Sequence, residues 1–284
     1  MGRNKYKMVK KRKEYLYNII ALIVTGVLLF PLYWMIISSL KNTGEIFASP
    51  PTIFPRALYF DAYKGAFSGA NSGLLRYFLN SVIIAGFTMI LTLILAVPAA
   101  YGLARYRLRF FNLILFIFLM TQMLPSSLIL TPLFISFSKI NILNTYLAAI
   151  LADATITIPF AVIILRTYFL NFPKELEDSA RIDGCNIFTT FIKIAVPITY
   201  PGIFVSAAIS FLMAWGDLIF ALTFINDDIL KPISLSLYNT MTETGTEWNR
   251  LMACSTVIVL PVLLMFIFLQ KYLVSGLTAG ALKG

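Results

Sequence analysis

The feature that most constrains this sequence is a series of long apolar runs. Six of them can be marked, at about residues 16–39, 77–104, 111–135, 146–170, 198–224 and 251–273. About 20 apolar residues are enough to cross the hydrocarbon core of a bilayer as a helix. Lipid offers backbone groups no hydrogen-bond partners, so a spanning segment pairs them internally as a helix or a closed barrel. The runs therefore predict an all-α membrane protein with six transmembrane helices.

The composition supports this prediction over a soluble fold. Hydrophobic residues make up 59% of the chain and charged residues 13%, whereas soluble domains carry about 25% charged residues. The first run is too long for a cleavable signal peptide, and no small-residue cleavage site follows it. We expect a basic N-terminus at 1–15, a transmembrane domain at 16–273 that contains a polar loop at 171–197, and a C-terminal tail at 274–284.

Several kinds of chemistry are excluded by missing residues. The sequence contains no histidine, which removes histidine-based zinc sites and catalysis by Ser–His or Cys–His pairs. Its two cysteines, Cys185 and Cys254, fall in a polar loop and in an apolar run, so a disulfide framework is not expected. No phosphate-cradling G-x-x-x-x-G-K-[ST] motif occurs. We expect no catalytic residue, no metal site and no cofactor on this chain.

The distribution of lysine and arginine predicts the orientation in the membrane. If the N-terminus is cytoplasmic, 16 basic residues lie in inside segments and seven in outside segments. Cytoplasmic loops of membrane proteins carry the excess of basic residues. We therefore expect both termini and the loop 171–197 in the cytoplasm. The basic N-terminus is then an anchor to anionic lipid, with nucleic-acid binding as the weaker alternative.

One polar stretch, "ELEDSARIDGCN" at 175–186, stands out in so apolar a chain. Four of the 13 acidic residues fall within nine positions, namely Glu175, Glu177, Asp178 and Asp183. Pro173 can begin a helix here and Gly184 can end it, and 186–195 predicts a second short helix that Pro197 ends. Small residues at Ser179 and Ala180 would let a partner approach closely. An ordinary solvated loop is the alternative interpretation.

The spacing of this stretch resembles the EAA loop of bacterial ABC importer permeases. That pattern is Glu-Ala-Ala, three residues, Gly, nine residues, Ile, one residue and Leu-Pro. This chain matches it with Asp178, Ser179, Ala180, Gly184, Ile194, Val196 and Pro197. The resemblance implies that the loop is a coupling helix that docks on an ATPase, with coupling residues Glu175, Glu177, Asp178, Ser179, Ala180, Asp183, Gly184, Ile194 and Pro197.

Other stretches extend the resemblance to carbohydrate permeases of the maltose-transporter type, and to the shorter of their two permeases. They are "QMLPSSLILTPLF", "LNTYLAAIL", "PFAVIILRTYF", "AWGDLIFALTF" and "LVSGLTAGALKG". Gly216 departs from the family, which usually has Asn there. The resemblance implies a type I importer permease fold and uptake of a sugar. It also implies a second permease, an external sugar-binding protein, and two ATPases that carry ATP and magnesium.

Polar residues within the apolar runs are candidates for the solute pathway. They are Asn80, Gln122, Asp153, Trp215 and Asp217. A charge in the membrane costs free energy and is expected to face protein or water. Carboxylates and amides suit sugar hydroxyls, and an aromatic face suits a sugar ring. The alternative is that these groups only bond neighbouring helices.

Two other functions stay open from the residues alone. Asp153 and Asp217 lie at one predicted depth and could form the acid pair of an intramembrane enzyme, although the Gly-x-Gly-Asp context of such proteases is missing at "AWGD". A self-contained secondary transporter is the other alternative, although no internal repeat is evident. Only an ABC permease requires a separate ATPase.

Overall fold

The computed structural model describes residues 2–67, 73–106, 109–242 and 245–281. Arg107, one of the 16 basic residues of the predicted inside segments, and residues 282–284 of the predicted tail lie outside the described residues. The secondary structure, in chain order, consists of α1 (Gly2–Ser39), α2 (Thr43–Ile46), α3 (Asp61–Phe67), α4 (Leu74–Arg105), α5 (Phe111–Met123), α6 (Ser126–Lys139), α7 (Tyr146–Asn171), α8 (Lys174–Ile182), α9 (Ile187–Thr190), a π-helical turn (Phe191–Ala195), α10 (Val196–Ile198), α11 (Tyr200–Trp215), α12 (Ile219–Phe224), α13 (Ile233–Asn239), the antiparallel strand pair β1 (Met241–Thr242) and β2 (Gly245–Thr246), and α14 (Trp248–Ala281).

The regular secondary structure of the described residues is helical apart from one pair of two-residue strands, which confirms the predicted all-α membrane fold. Four helical segments are long and apolar enough to cross a bilayer: Lys13–Ser39, Leu74–Arg105, Tyr146–Asn171 and Trp248–Gln270. Two further helix pairs pass the same test together but are sharply bent. Counting each bent pair as one span gives up to six spans. In the second pair only the part from Ile198 to Trp215 falls in the predicted fifth run, and the part before it lies in the predicted polar loop.

The two bent pairs have their breaks beside prolines. Between α5 and α6 the axis turns by 102° at Leu124 and Pro125. The residue before a proline is pushed out of the helical conformation, and Leu124 is extended. The second bend, of 76°, lies at Thr199, just before Pro201 in the first turn of α11. A proline lacks the N–H that helix continuation requires, so it fits a helix start.

The larger of two compact units comprises Phe67–Asn239 with Ile258–Gly284. Its core is the packing of α4 against α7. Small buried residues, including Ala96, Ala100 and Ala161, line this contact and let the two backbones come close. The hydroxyls of Thr92 and Thr157 lie 2.7 Å apart inside it and share a hydrogen bond.

The other unit comprises Met1–Ala66 with Thr240–Val257. No residue in the most apolar stretch of α1 is buried against the rest of the described chain. In the segment after α1, Lys41 lies over the ring of Trp34 at 4.6 Å and donates to the carbonyl of Thr52. Burial alone would raise the pKa of Glu45. The Arg56 N–H, the Thr52 hydroxyl and the charges of Lys41 and Arg56 outweigh burial and lower that pKa.

Candidate functional site

The loop between α7 and α11 contains α8, which begins directly after Pro173 and carries Glu175 and Glu177 in its first turn. Its C-terminus closes at Gly184, whose φ of +88° is unstrained only for glycine. The Gly184 N–H donates to the Arg181 carbonyl at 3.1 Å, and the Cys185 N–H donates to the Ala180 carbonyl at 2.9 Å. These two bonds form a Schellman motif, which fixes the direction of the chain after α8.

A second helical segment follows at once. The Asn186 side chain accepts the Thr189 N–H at 2.8 Å and so begins α9. The helix then continues through the π-helical turn and α10 to Ile198, beyond the predicted end at 195. Pro197 therefore lies within the final turn, and the chain breaks at Thr199.

The acidic helix α8 has two different faces. Glu177 and Ala180 are three positions apart and both are buried, with 1% and 7% of their surface exposed. Glu175, Asp178, Ser179 and Asp183 are exposed. The acidic patch is thus divided: three of its carboxylates face outward and one faces the core of its own chain.

Glu177 is held by the C-terminal end of α4. Its Oε1 accepts a hydrogen bond from Nε of Arg105 at 2.6 Å, and its Oε2 accepts one from the Tyr101 hydroxyl at 3.2 Å. Arg105 also donates to the carbonyl of Phe172 at 2.9 Å and lies over that residue's ring. Charged hydrogen bonds of this kind are among the strongest in proteins. Glu177, which the resemblance implies is a coupling residue, therefore pairs with a basic residue of its own chain.

The outward side of the loop combines exposed apolar residues with carboxylates. Ile182, Ile187 and Phe188 are 87%, 56% and 68% exposed, and Asp178 and Asp183 lie beside them in sequence. We call these five residues the outer loop surface. Phe191 and Ile194, from the same helical segment as Ile187, pack partly against the α4–α7 core. A surface that is both apolar and acidic suits a protein partner with apolar and basic groups.

Asn80 is occupied by its own chain. Its side-chain amide donates to the carbonyls of Ile229 and Lys231, both at 2.9 Å, and its oxygen accepts from the Tyr146 hydroxyl at 2.7 Å. The neighbouring Ser81 hydroxyl accepts the N–H of Ile233 at 2.8 Å. The segment after α12 is therefore hydrogen-bonded to α4 over residues 229–233.

Gln122 and Trp215 also have partners within the chain. Gln122 donates to the carbonyl of Ile156 at 3.1 Å, and Trp215 donates to the carbonyl of Ile258 at 3.2 Å. The Trp215 ring is 3% exposed and lies edge-on to Phe78, with ring centroids 5.4 Å apart. These contacts connect helices, as the alternative interpretation of the polar residues proposed.

Asp153 and Asp217 line one cavity of about 220 Å³, together with Ser126 and Thr157. Both oxygens of Asp217 accept N–H groups from the first turn of α12, at 3.4 Å to Phe220 and 3.0 Å to Ala221. Asp153 differs, because no hydrogen bond or ion pair within the described chain reaches its carboxylate, which is 5% exposed. It is therefore the candidate pathway residue with unused acceptors.

Two groups that shape the site escaped the sequence reasoning. In the sequence, Arg105 is one of the 16 basic residues of the predicted inside segments, and Phe188 lies in the predicted second helix of the loop. The signal for Arg105 was its position in the last turn of a long apolar helix, next to an exit from the membrane. Its pairing with a residue 72 positions away has no local signature.

Comparisons with known proteins agree with this architecture. A family model described as binding-protein-dependent transport system inner membrane component matches residues 92–279. The sulfoquinovosyl glycerol transport system permease protein SmoH of Agrobacterium fabrum is 35% identical over 265 residues, which cover 93% of this chain and 91% of that protein. The trehalose/maltose transport system permease protein MalG of Thermococcus litoralis is 32% identical over 274 residues, covering 96% and 98%.

A solved structure supports the fold independently. The crystal structure of a bacterial ABC transporter involved in the import of the acidic polysaccharide alginate superposes with a TM-score of 0.75. The match covers 92% of this chain and 98% of that chain at 20% sequence identity. Likeness at this identity concerns the fold, and it extends over nearly the whole length of both chains.

Proposed function

Because the chain belongs to the family of binding-protein-dependent transport system inner membrane components, we propose that it is a permease subunit of an ATP-binding cassette importer for a sugar or oligosaccharide. In this proposal it is a non-catalytic membrane subunit that forms the pathway with a second permease. The observation that carries the proposal is the family match over 92–279, which includes the whole loop between α7 and α11.

The class of solute follows from the relatives and from one residue. SmoH and MalG are named for a sulfoquinovosyl glycerol and for trehalose and maltose. Asp153 supports a solute rich in hydroxyls, because a buried carboxylate without partners gains most from hydrogen-bond donors. Asp153→Asn should therefore lower uptake at limiting solute, whereas Lys139→Gln, at an exposed position, should not.

The outer loop surface is proposed to dock on a cytoplasmic ATPase. Its exposed carboxylates can pair with basic groups of a partner, and its exposed apolar side chains can be buried against that partner. Burying one isoleucine or phenylalanine side chain stabilises a complex by about 1.5–3 kcal/mol. Two identical ATPases would supply the nucleotide site, with ATP and magnesium, that this sequence lacks. An extracytoplasmic sugar-binding protein would deliver the solute from the other side.

Reconstitution with the ATPase and binding protein in liposomes tests the docking. We expect Ile182→Ala with Phe188→Ala to abolish solute-stimulated ATP hydrolysis and uptake, while the chain remains in the membrane. Ile140→Ala is the control, because Ile140 is also exposed, at 62%, but lies at the end of α6. Normal coupling in the double variant would mean that the loop is only solvated.

The orientation is tested separately. The excess of basic residues in the predicted inside segments supports cytoplasmic termini. A cysteine placed at Thr242 should react with an impermeant thiol reagent added outside intact cells, and one at Lys10 should not. Labelling of both positions, or of neither, would overturn this orientation.

The enzyme alternative loses support at Asp217. An acid pair needs two carboxylates free to exchange a proton with each other or with substrate. Both oxygens of Asp217 are instead engaged by N–H groups of α12. The position of the Asp217 carboxylate is explained by its hydrogen bonds to the first turn of α12. Transport therefore accounts for the cavity shared by Asp153 and Asp217 better than catalysis does.

A further inference from the structure

A cavity of about 520 Å³ opens where α4 ends, α5 begins and α7 passes beside them. Its lining includes Arg109 from the connection between α4 and α5, and Arg166 from α7. We call it the arginine cavity. It is separate from the outer loop surface and from the cavity at Asp153, and the proposed transport function gives it no role.

Neither arginine of this cavity has a counter-charge among the described residues. None of the ion pairs formed by described side chains involves Arg109 or Arg166. The nearby Arg105 is already paired with Glu177, and none of the described residues that line the cavity is acidic. Two guanidinium groups therefore present a net positive charge to whatever fills the space.

Aromatic rings hold these arginines in place. The Arg166 guanidinium lies 4.6 Å from the ring centroid of Phe111, and its Nε donates to the Leu103 carbonyl at 3.4 Å. The Arg109 guanidinium lies 5.8 Å from the ring centroid of Phe110. Contacts of this type fix the cation while leaving N–H donors at its edge free for an anion.

The cavity lies at the level where the apolar helices leave the membrane. Arg105 is the last residue of α4 and Phe111 the first of α5, and Tyr106 and Phe110 fall between them. Aromatic residues concentrate at this level of membrane proteins. From Leu113, which lines the cavity, α5 continues with Phe116 and Ile117, and each of the three exposes half or more of its surface, which suits acyl chains.

From this arrangement we propose that the arginine cavity binds the phosphate headgroup of an anionic phospholipid. Arginine matches phosphate oxygens with two parallel hydrogen bonds, and basic pockets between spans at the cytoplasmic side are suited to anionic headgroups. A zwitterionic lipid brings its own ammonium group, which competes with the arginines for the phosphate. The site therefore favours phosphatidylglycerol over phosphatidylcholine.

The test measures lipid retention by native mass spectrometry on the full-length chain, purified with the subunits that accompany it. Phosphatidylglycerol and phosphatidylcholine are each titrated against the wild type and against Arg109→Gln, Arg166→Gln and the double variant. Each basic residue near an anionic surface contributes about a fivefold factor in affinity. We expect each single variant to lose about fivefold, and the double variant about 25-fold, in affinity for phosphatidylglycerol. Lys139→Gln, the control at the end of α6, should lose none.

Two additions keep the outcomes decisive. Arg166→Lys retains the charge, so it should keep most of the lipid preference even though its packing on Phe111 changes. Inorganic phosphate is added as a soluble competitor, and it should not displace phosphatidylglycerol at millimolar concentration. Equal retention of the two lipids, unchanged binding in the double variant, or displacement by phosphate would each overturn the lipid site. Because no transport is measured, these outcomes are independent of the proposed function.

Discussion

Replacing Glu177 with glutamine would leave the guanidinium of Arg105 without its counter-charge in a buried place. The two side chains are 1% and 9% exposed, and the joined atoms, Oε1 and Nε, lie 2.6 Å apart. Removing one partner of a buried pair typically costs about 3–5 kcal/mol. Since 1.4 kcal/mol corresponds to a factor of about ten, local opening of α8 should become at least about a hundredfold more frequent.

Hydrogen exchange of the α8 amides, followed by mass spectrometry on the purified chain, measures this opening. Glu177→Gln should speed exchange across Lys174–Ile182 by about a hundredfold or more. Asp178→Asn is the matched control, because it removes the same charge from the next position, which is exposed. Its exchange should equal that of the wild type.

The double variant Arg105→Met with Glu177→Leu separates charge from packing. Replacing a whole buried pair by apolar residues is often neutral or stabilising, so protection of α8 should recover. Unchanged exchange in Glu177→Gln would refute the reasoning, because α8 would then be held by something other than the pair. Equal acceleration in the single and double variants would refute it as well.

Two further predictions concern packing and pH. A Cβ atom at Gly202 would lie 2.3 Å from Cγ of Tyr168. Gly202→Ala should therefore lower thermal stability by about 1–3 kcal/mol. Adding Tyr168→Ala in the same chain should relieve most of that loss. The pKa of Glu45 is lowered in the folded chain, so its stabilisation is present above its unfolded pKa and is lost as the pH falls through the folded value. Trp34 fluorescence should report this acid transition, and Glu45→Gln should remove it.

The sequence predicts the fold well because lipid leaves few alternatives. Each apolar run must become a helix, and every run contains described helix. The helix breaks at Leu124 and Thr199 are harder to predict from the sequence. Every run contains a proline, yet helices continue through Pro31, Pro98, Pro159 and Pro261. Neighbouring packing decides which proline ends a helix, and that information is not local.

The candidate site shows the same limit in its side chains. The position of the acidic loop, and of the glycine that ends α8, could be predicted from the spacing of the sequence. Gly184 has a φ of +88°, which only glycine adopts without strain. Whether Glu177 faces inward depends on Arg105, far away in sequence. Likewise, Asp153 and Asp217 look alike in the sequence, and only the start of α12 distinguishes a capping carboxylate from an unpartnered one.

Helix α4 is fastened near one end to the segment after α12 and at the other end to α8, which carries part of the proposed ATPase-docking surface. Asn80 holds the segment at Ile229 and Lys231, and Arg105 holds α8, with 25 residues or about 38 Å of continuous helix between them. Coupling between two binding events is reciprocal by thermodynamic necessity. If a loaded binding protein at the outer end tightens nucleotide binding on the ATPases by some factor, nucleotide must tighten the grip on that binding protein by the same factor. Measuring either affinity with and without the other ligand would therefore give the free energy that α4 and its neighbours transmit.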